Sequence, residues 1–194
     1  HIMRRRQRQM CIRDSFRQYL SNVYKKEISD NSTVLDLMSS WDSYLPQEKK
    51  YKKVIGHGLN KQELEKNKIF DTYWIQNFNL NQEIPLGNES VDFCLMVAAW
   101  QYLQYPENLS REIVRILSND GKFIISFSNR AFWHKAPNIW TSSTEEERIK
   151  YVRKVLISNG FNEPRIIKKF NEPVQNIFNF FSKDPFYCLI ASKK

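Results

Sequence analysis

The chain predicts a doubly wound α/β domain: a mostly parallel sheet of seven strands with an antiparallel strand at one edge. Three observations carry this. Apolar runs recur at 33–38, 54–56, 72–76, 91–98 and 122–127, short enough for buried strands. Helical spacing fills most of the intervals, so β and α alternate. Two last runs, 165–170 and 185–191, show no helical pattern between them, which predicts an antiparallel pair closing the sheet.

In chain order, Phe16, Tyr19, Leu20, Val23 and Tyr24 fall on one helical face, and Ser29-Asp30-Asn31-Ser32 ends that helix with turn formers. The first strand follows and delivers Asp36 to a sharp polar turn, where the ligand crevice of an open α/β sheet lies. Lysine-rich sequence leads to the second strand. Asn60 with Glu63 caps a short helix before the third strand. The run 91–98 is almost wholly apolar, as a central strand covered on both faces must be. Leu109, Ile113, Ile116 and Leu117 mark the next helix, which Asn119-Asp120-Gly121 is expected to close with Gly121 near its C′ position. Thr144 with Glu147 forms a capping box for a helix that stops at Gly160.

At 194 residues and 41% hydrophobic content the chain is one domain with a sizeable core. No run spans a bilayer and no signal peptide is recognisable, so a cytoplasmic protein with no membrane partner is expected. Three cysteines make no disulfide framework, and three histidines, His1 among them, have no metal-ligand spacing; no metal is expected.

The formal charge of +9 does not carry a nucleic-acid reading. Residues 1–14 hold five arginines against Asp14, a net +4, and the remainder is scattered lysine and arginine of the kind that solvates a surface. His1-Ile2-Met3 reads as an expression-vector remnant. The run from Arg4 to Ser15 resembles the translation of a transposon-based sequencing adapter, as in a gene taken from a metagenomic read. Residues 1–15 are therefore set aside from the domain, 16–194.

Three stretches carry a resemblance to a known family. Val34-Leu35-Asp36-Leu37 stands at the end of the first strand, Leu86-Gly87-Asn88-Glu89-Ser90-Val91-Asp92-Phe93 leads into the fourth, and Leu117-Ser118-Asn119-Asp120-Gly121-Lys122-Phe123-Ile124-Ile125-Ser126 leads into the fifth. In this order they resemble the class I S-adenosylmethionine-dependent methyltransferases of the type 11 group. The first loop, Leu35-Asp36-Leu37-Met38-Ser39-Ser40-Trp41, resembles a cyanobacterial and plastid-type subgroup. The resemblance implies a Rossmann-like sheet, S-adenosylmethionine as cofactor with S-adenosylhomocysteine as product, and a small-molecule acceptor.

The departures are as informative. The family's first loop runs acid-x-Gly-x-Gly-x-Gly, whose glycines allow positive φ and close ligand approach. This loop has no glycine. Gly58 falls where the family places the acid that holds the ribose hydroxyls, leaving His57 or Asn60 as weaker hydrogen-bond partners.

Carried over position by position, the resemblance implies a cofactor site of Asp36, Leu37, Met38, Ser39, Ser40, His57, Gly58, Leu59, Asn60, Asn77, Phe78, Ala98 and Ala99. Asp36 either orders the turn or faces the methionine ammonium. Phe78 is placed to stack on adenine. The acceptor pocket draws on Trp41, Trp100, Tyr102, Asn129, Arg130, Trp133 and Lys135, with Trp100 and Tyr102 equally suited to the core. Arg130 and Lys135 suit an acceptor carboxylate or phosphate, and His134 a general base; a solvated basic helix start accounts for the same residues. Methyl transfer by in-line displacement needs mainly positioning, so it leaves little trace in sequence. Two functions follow: a methyltransferase, or a catalytically silent binding or regulatory protein on the same fold. A nicotinamide enzyme is disfavoured because no Gly-x-Gly-x-x-Gly follows the first strand.

Overall fold

The computed structural model describes residues 14–170 and 185–194, with the side chain of Trp133 excepted. Seven strands form one sheet: β1 (Thr33–Leu37), β2 (Lys53–Gly58), β3 (Thr72–Ile75), β4 (Val91–Val97), β5 (Leu117–Phe127), β6 (Arg165–Lys169) and β7 (Phe186–Ser192). Their order is β3-β2-β1-β4-β5-β7-β6. The first five are parallel, and β7 runs antiparallel to both β5 and β6, one strand in from the edge.

Strict alternation of side chains dictates how the sheet is covered. Along β1, Leu35 and Leu37 join one core cluster while Val34 joins the other; β4 and β7 divide in the same way. The first face is covered by α3 (Pro106–Ile116) and α5 (Glu145–Ser158), through Leu109, Ile113, Ile116, Ile149, Val152 and Leu156. The second face takes α1 (Asp14–Glu27), through Phe16, Leu20, Val23 and Tyr24. Two shorter helices, α2 (Lys61–Lys66) and α4 (Asn138–Thr141), complete the set. Residues 14 and 15 of the segment expected to be foreign lie in α1; the rest of it is outside the described residues.

The caps follow their chemistry. Asn60 accepts the Glu63 backbone N–H before α2, and Thr144 and Glu147 close a reciprocal capping box before α5. Past α5, Gly160 adopts φ of 100°, the left-handed geometry that glycine supplies at a helix end. Gly121 corrects the expectation placed on it: α3 ends at Ile116 and Gly121 sits inside β5, where its backbone runs so close to the Ser118 carbonyl that a Cβ would meet it at 2.8 Å. The Leu-Ser-Asn-Asp-Gly run was expected to end a helix, but pairing of Leu117 with Val91 draws it into the sheet.

Candidate cofactor and acceptor site

The chain leaves β1 toward β2 on one side and meets β4 on the other, so a crevice opens at the carboxyl ends of β1 and β4. A cavity of about 390 Å³ occupies it, a volume typical of small-ligand sites. Its wall contains the residues after β1 (Asp36, Leu37, Met38, Ser39, Ser40, Trp41), residues beyond β2 and β3 (Leu59, Asn77, Phe78), and Ala98 and Ala99 after β4, with His57 at its floor.

The glycine-free turn is held by its neighbours. Met38 has φ of 54°, a left-handed conformation that costs a side-chain-bearing residue about 1–2 kcal/mol. Its N–H donates to Nδ1 of His57 at 3.1 Å, and the next N–H, of Ser39, donates to the His57 carbonyl at 2.7 Å. The other ring nitrogen of His57 lies 2.9 Å from the Gln76 carbonyl. The acceptor role at Nδ1 makes Nε2 the protonated nitrogen and donor. The ring is 1% exposed and stacks on Phe78 and Trp74, with centroids 4.1 and 4.8 Å away. Burial lowers the His57 pKa to about 4, so the imidazole is neutral.

Asp36 is buried and accepts from the Ser39 hydroxyl at 2.9 Å. Burial pushes its carboxyl up to about 6, against the pull of the neighbouring serine hydroxyls. Ser40 donates to Glu63 at 2.7 Å, tying the loop to α2, and Lys66 sits 4.9 Å over the Trp41 ring. Ala98, with φ of 48°, repeats the left-handed geometry at the end of β4 and donates to the Ser126 carbonyl at 2.7 Å. Its small side chain leaves the crevice open.

Gly58 does not reach the cavity wall as a ligand residue. A Cβ there would lie 2.7 Å from the Ser39 carbonyl, so β2 and the turn meet backbone to backbone. Asn60 likewise serves as the cap of α2 rather than as a wall residue. Asn77 is exposed at the rim with its side-chain oxygen in a local turn with Asn79. Phe78 presents its ring to the cavity from its stack on His57.

Of the acceptor candidates, Tyr102 and Lys135 line the cavity with Trp41. The Tyr102 hydroxyl accepts the Phe132 backbone N–H at 3.0 Å, which fixes the loop after β5 against the short helical turn 100–102. Trp100 is 2% exposed and packed in the core near Phe123; it is not a wall residue. Asn129, Arg130 and His134 lie outside the wall, and the Trp133 side chain is outside the described residues. Residues the sequence did not single out complete the wall, chiefly Arg17, Tyr44, Asn79 and Phe132. Arg17 had a legible signal: with Leu20 and Tyr24 it follows i, i+3, i+7 spacing, a cation on the core-facing stripe of α1.

Residues 43–125 match the family model described as a methyltransferase domain. No curated protein sequence matches. Among solved structures, a Thermotoga maritima S-adenosylmethionine-dependent methyltransferase, named as a possible histamine N-methyltransferase, superposes with a TM-score of 0.64 at 18% identity, covering 99% of this chain and 96% of that one. The complex between the Haloferax volcanii Trm112 methyltransferase activator and a methyltransferase gives 0.64 at 14%, covering 90% and 87%. The [4+2]-cyclase SpnF gives 0.64 at 10%, covering 90% and 80%. The chain thus has the fold of the class I S-adenosylmethionine-dependent methyltransferases, and its residues 43–125 are similar to the methyltransferase-domain model. S-adenosylmethionine is the cofactor this domain implies.

Proposed function

We propose that the protein transfers a methyl group from S-adenosylmethionine to a small molecule. The observation that carries this reading is that two of the four left-handed non-glycine residues among the described residues, Met38 after β1 and Ala98 after β4, both line the cavity at the strand ends. Each holds a strained backbone at the mouth of a cavity, and such strain persists where the surroundings enforce it, commonly at ligand sites. The cofactor, when bound, supplies a methyl group on a sulfonium and leaves as the thioether S-adenosylhomocysteine.

The residues present fit that group. The turn 36–40 and Ala98 would hold the amino-acid end of the cofactor, and Phe78 and Leu59 would offer apolar surface to its base. Tyr102, Phe132 and Trp41 also line the cavity and would position the acceptor against the methyl group, the positioning from which such catalysis chiefly comes. No described side chain of the wall has to act as a base for this.

A second reading, a silent binding protein, has its own support. The end of β2 offers Gly58 in place of a ribose-binding acid, and both nitrogens of His57 are engaged with backbone. One fold neighbour is named a cyclase, so the fold alone does not dictate methyl transfer. Calorimetric titration of S-adenosylmethionine and S-adenosylhomocysteine decides. The methyltransferase reading expects micromolar binding of both, weakened at least about tenfold, or 1.4 kcal/mol, in Asp36→Ala and Asn77→Ala variants. Absence of binding to either nucleoside overturns it.

A further inference from the structure

Subtracting the strand-end residues from the cavity wall leaves a second group, supplied by other segments: Arg17 from α1, Tyr44 from the loop before β2, Tyr102, and Phe132 and Lys135 from the segment after β5. This part of the wall is aromatic and carries two cations. Arg17 packs its guanidinium 5.6 Å from the Tyr44 ring, and its Nε is buried without a hydrogen-bond partner. Lys135 holds its ammonium 5.6 Å from the Phe132 ring. Among the described residues neither cation forms an ion pair with a carboxylate. The acids of the wall do not answer them: Asp36 is committed to Ser39 and Asp42 is exposed at the rim.

A buried guanidinium N–H left unpaired costs of order 1–3 kcal/mol, more than a neutral donor does, and calls for a partner. The planar fork of arginine is matched by a carboxylate, and stacking on tyrosine presents its edge. A sulfonium cofactor would add a third positive centre to the cavity. Arg17 is half-buried and Lys135 exposed at the rim, so a neutral or cationic acceptor would leave the buried Arg17 Nε–H unanswered, whereas an anionic one offsets the positive charge there.

Resting on the methyltransferase reading, we propose that Arg17 and Lys135 bind the carboxylate of the methyl acceptor, and that the acceptor is a small aromatic acid whose ring is held among Tyr44, Tyr102 and Phe132. Arg17 is then the specificity-determining residue, and α1 closes the acceptor end of the site.

The test uses the whole chain saturated with S-adenosylhomocysteine, with benzoate and its neutral isostere benzamide as probes in calorimetry. Benzoate is expected to bind at least about tenfold more tightly than benzamide, because a charge-assisted pair is formed only by the acid. Arg17→Gln is expected to erase that preference while leaving S-adenosylhomocysteine affinity within about twofold, and Arg17→Lys to restore part of it, since lysine keeps the charge but not the fork. Thermal unfolding of each variant verifies that α1 remains docked. Equal binding of the two probes, or binding of neither, overturns the proposal. So does a loss confined to S-adenosylhomocysteine in Arg17→Gln, which assigns Arg17 to the cofactor's own carboxylate. Failure of the wild-type chain to bind S-adenosylhomocysteine at all strikes instead at the underlying reading, before either probe is added.

Discussion

Met38 donates its backbone N–H to Nδ1 of His57 while holding a φ of 54°. A left-handed position in a turn ordinarily calls for glycine, and here a buried imidazole from β2 holds a methionine in it. His57→Ala loses two ring hydrogen bonds and its aromatic contacts, at about 3 kcal/mol. The melting temperature should then fall by about 6–12 °C. Adding Met38→Gly to that variant relieves the strained conformation and should recover about 1 kcal/mol together with nucleoside affinity. A double variant no better than His57→Ala would mean that the imidazole merely fills space.

The same pair of elements makes a prediction about pH. His57 has its pKa lowered to about 4 in the fold against an ordinary 6.5, so the unfolded chain takes up its proton first. Its contribution is complete above 6.5 and is lost as pH falls from 6.5 to 4, about 3 kcal/mol in all. Asp36 runs the other way. Its carboxyl, raised from 3.8 to about 6, makes the folded state the stronger proton binder, so its contribution is greatest below 3.8 and is lost as pH rises to 6. The two slopes oppose one another between pH 4 and 6. Asp36→Asn should therefore steepen acid destabilisation in that window, and His57→Gln should invert it; denaturant titrations at half-unit pH intervals measure both.

Placing an acid at the end of β2 should fail. A side chain at position 58 begins 2.7 Å from the Ser39 carbonyl, and only backbone movement can make room. Gly58→Ala and Gly58→Asp should each cost about 1–3 kcal/mol, and Gly58→Asp should not strengthen S-adenosylhomocysteine binding. Tighter binding in Gly58→Asp, read by calorimetry, would show that the turn can withdraw.

Trp100 and Tyr102 should separate cleanly. Trp100 is 2% exposed in the core, so Trp100→Ala should destabilise by about 3–5 kcal/mol. Tyr102→Phe loses only the hydroxyl that accepts the Phe132 N–H, so it should cost about 1 kcal/mol of stability and act mainly on acceptor binding. Urea unfolding beside probe titration distinguishes the two.

The sheet was legible in the linear pattern because strand and helix periods are local properties: each of the seven strands falls on a run the apolar spacing marks. The cap residues Asn60 and Thr144 were legible for the same reason, since a cap reaches only three residues along the chain. Gly121 shows the limit. Its neighbourhood has the composition of a helix end, but pairing of β5 with β4 outweighs local preference.

The sequence alone determined the order of β and α, the acid after β1 and the absence of glycine beyond it. Tertiary structure decided what that absence means. Only in the folded chain does His57, nineteen residues away, reach the turn, and only there does the close approach at Gly58 explain why no acid stands at the end of β2. Arg17 belongs to the same class. Its spacing places a cation on the buried stripe of a helix, but the cavity it meets is assembled from the ends of distant strands. Local propensity acts over a few residues; a site is a meeting of segments far apart in the chain, and packing alone brings them together.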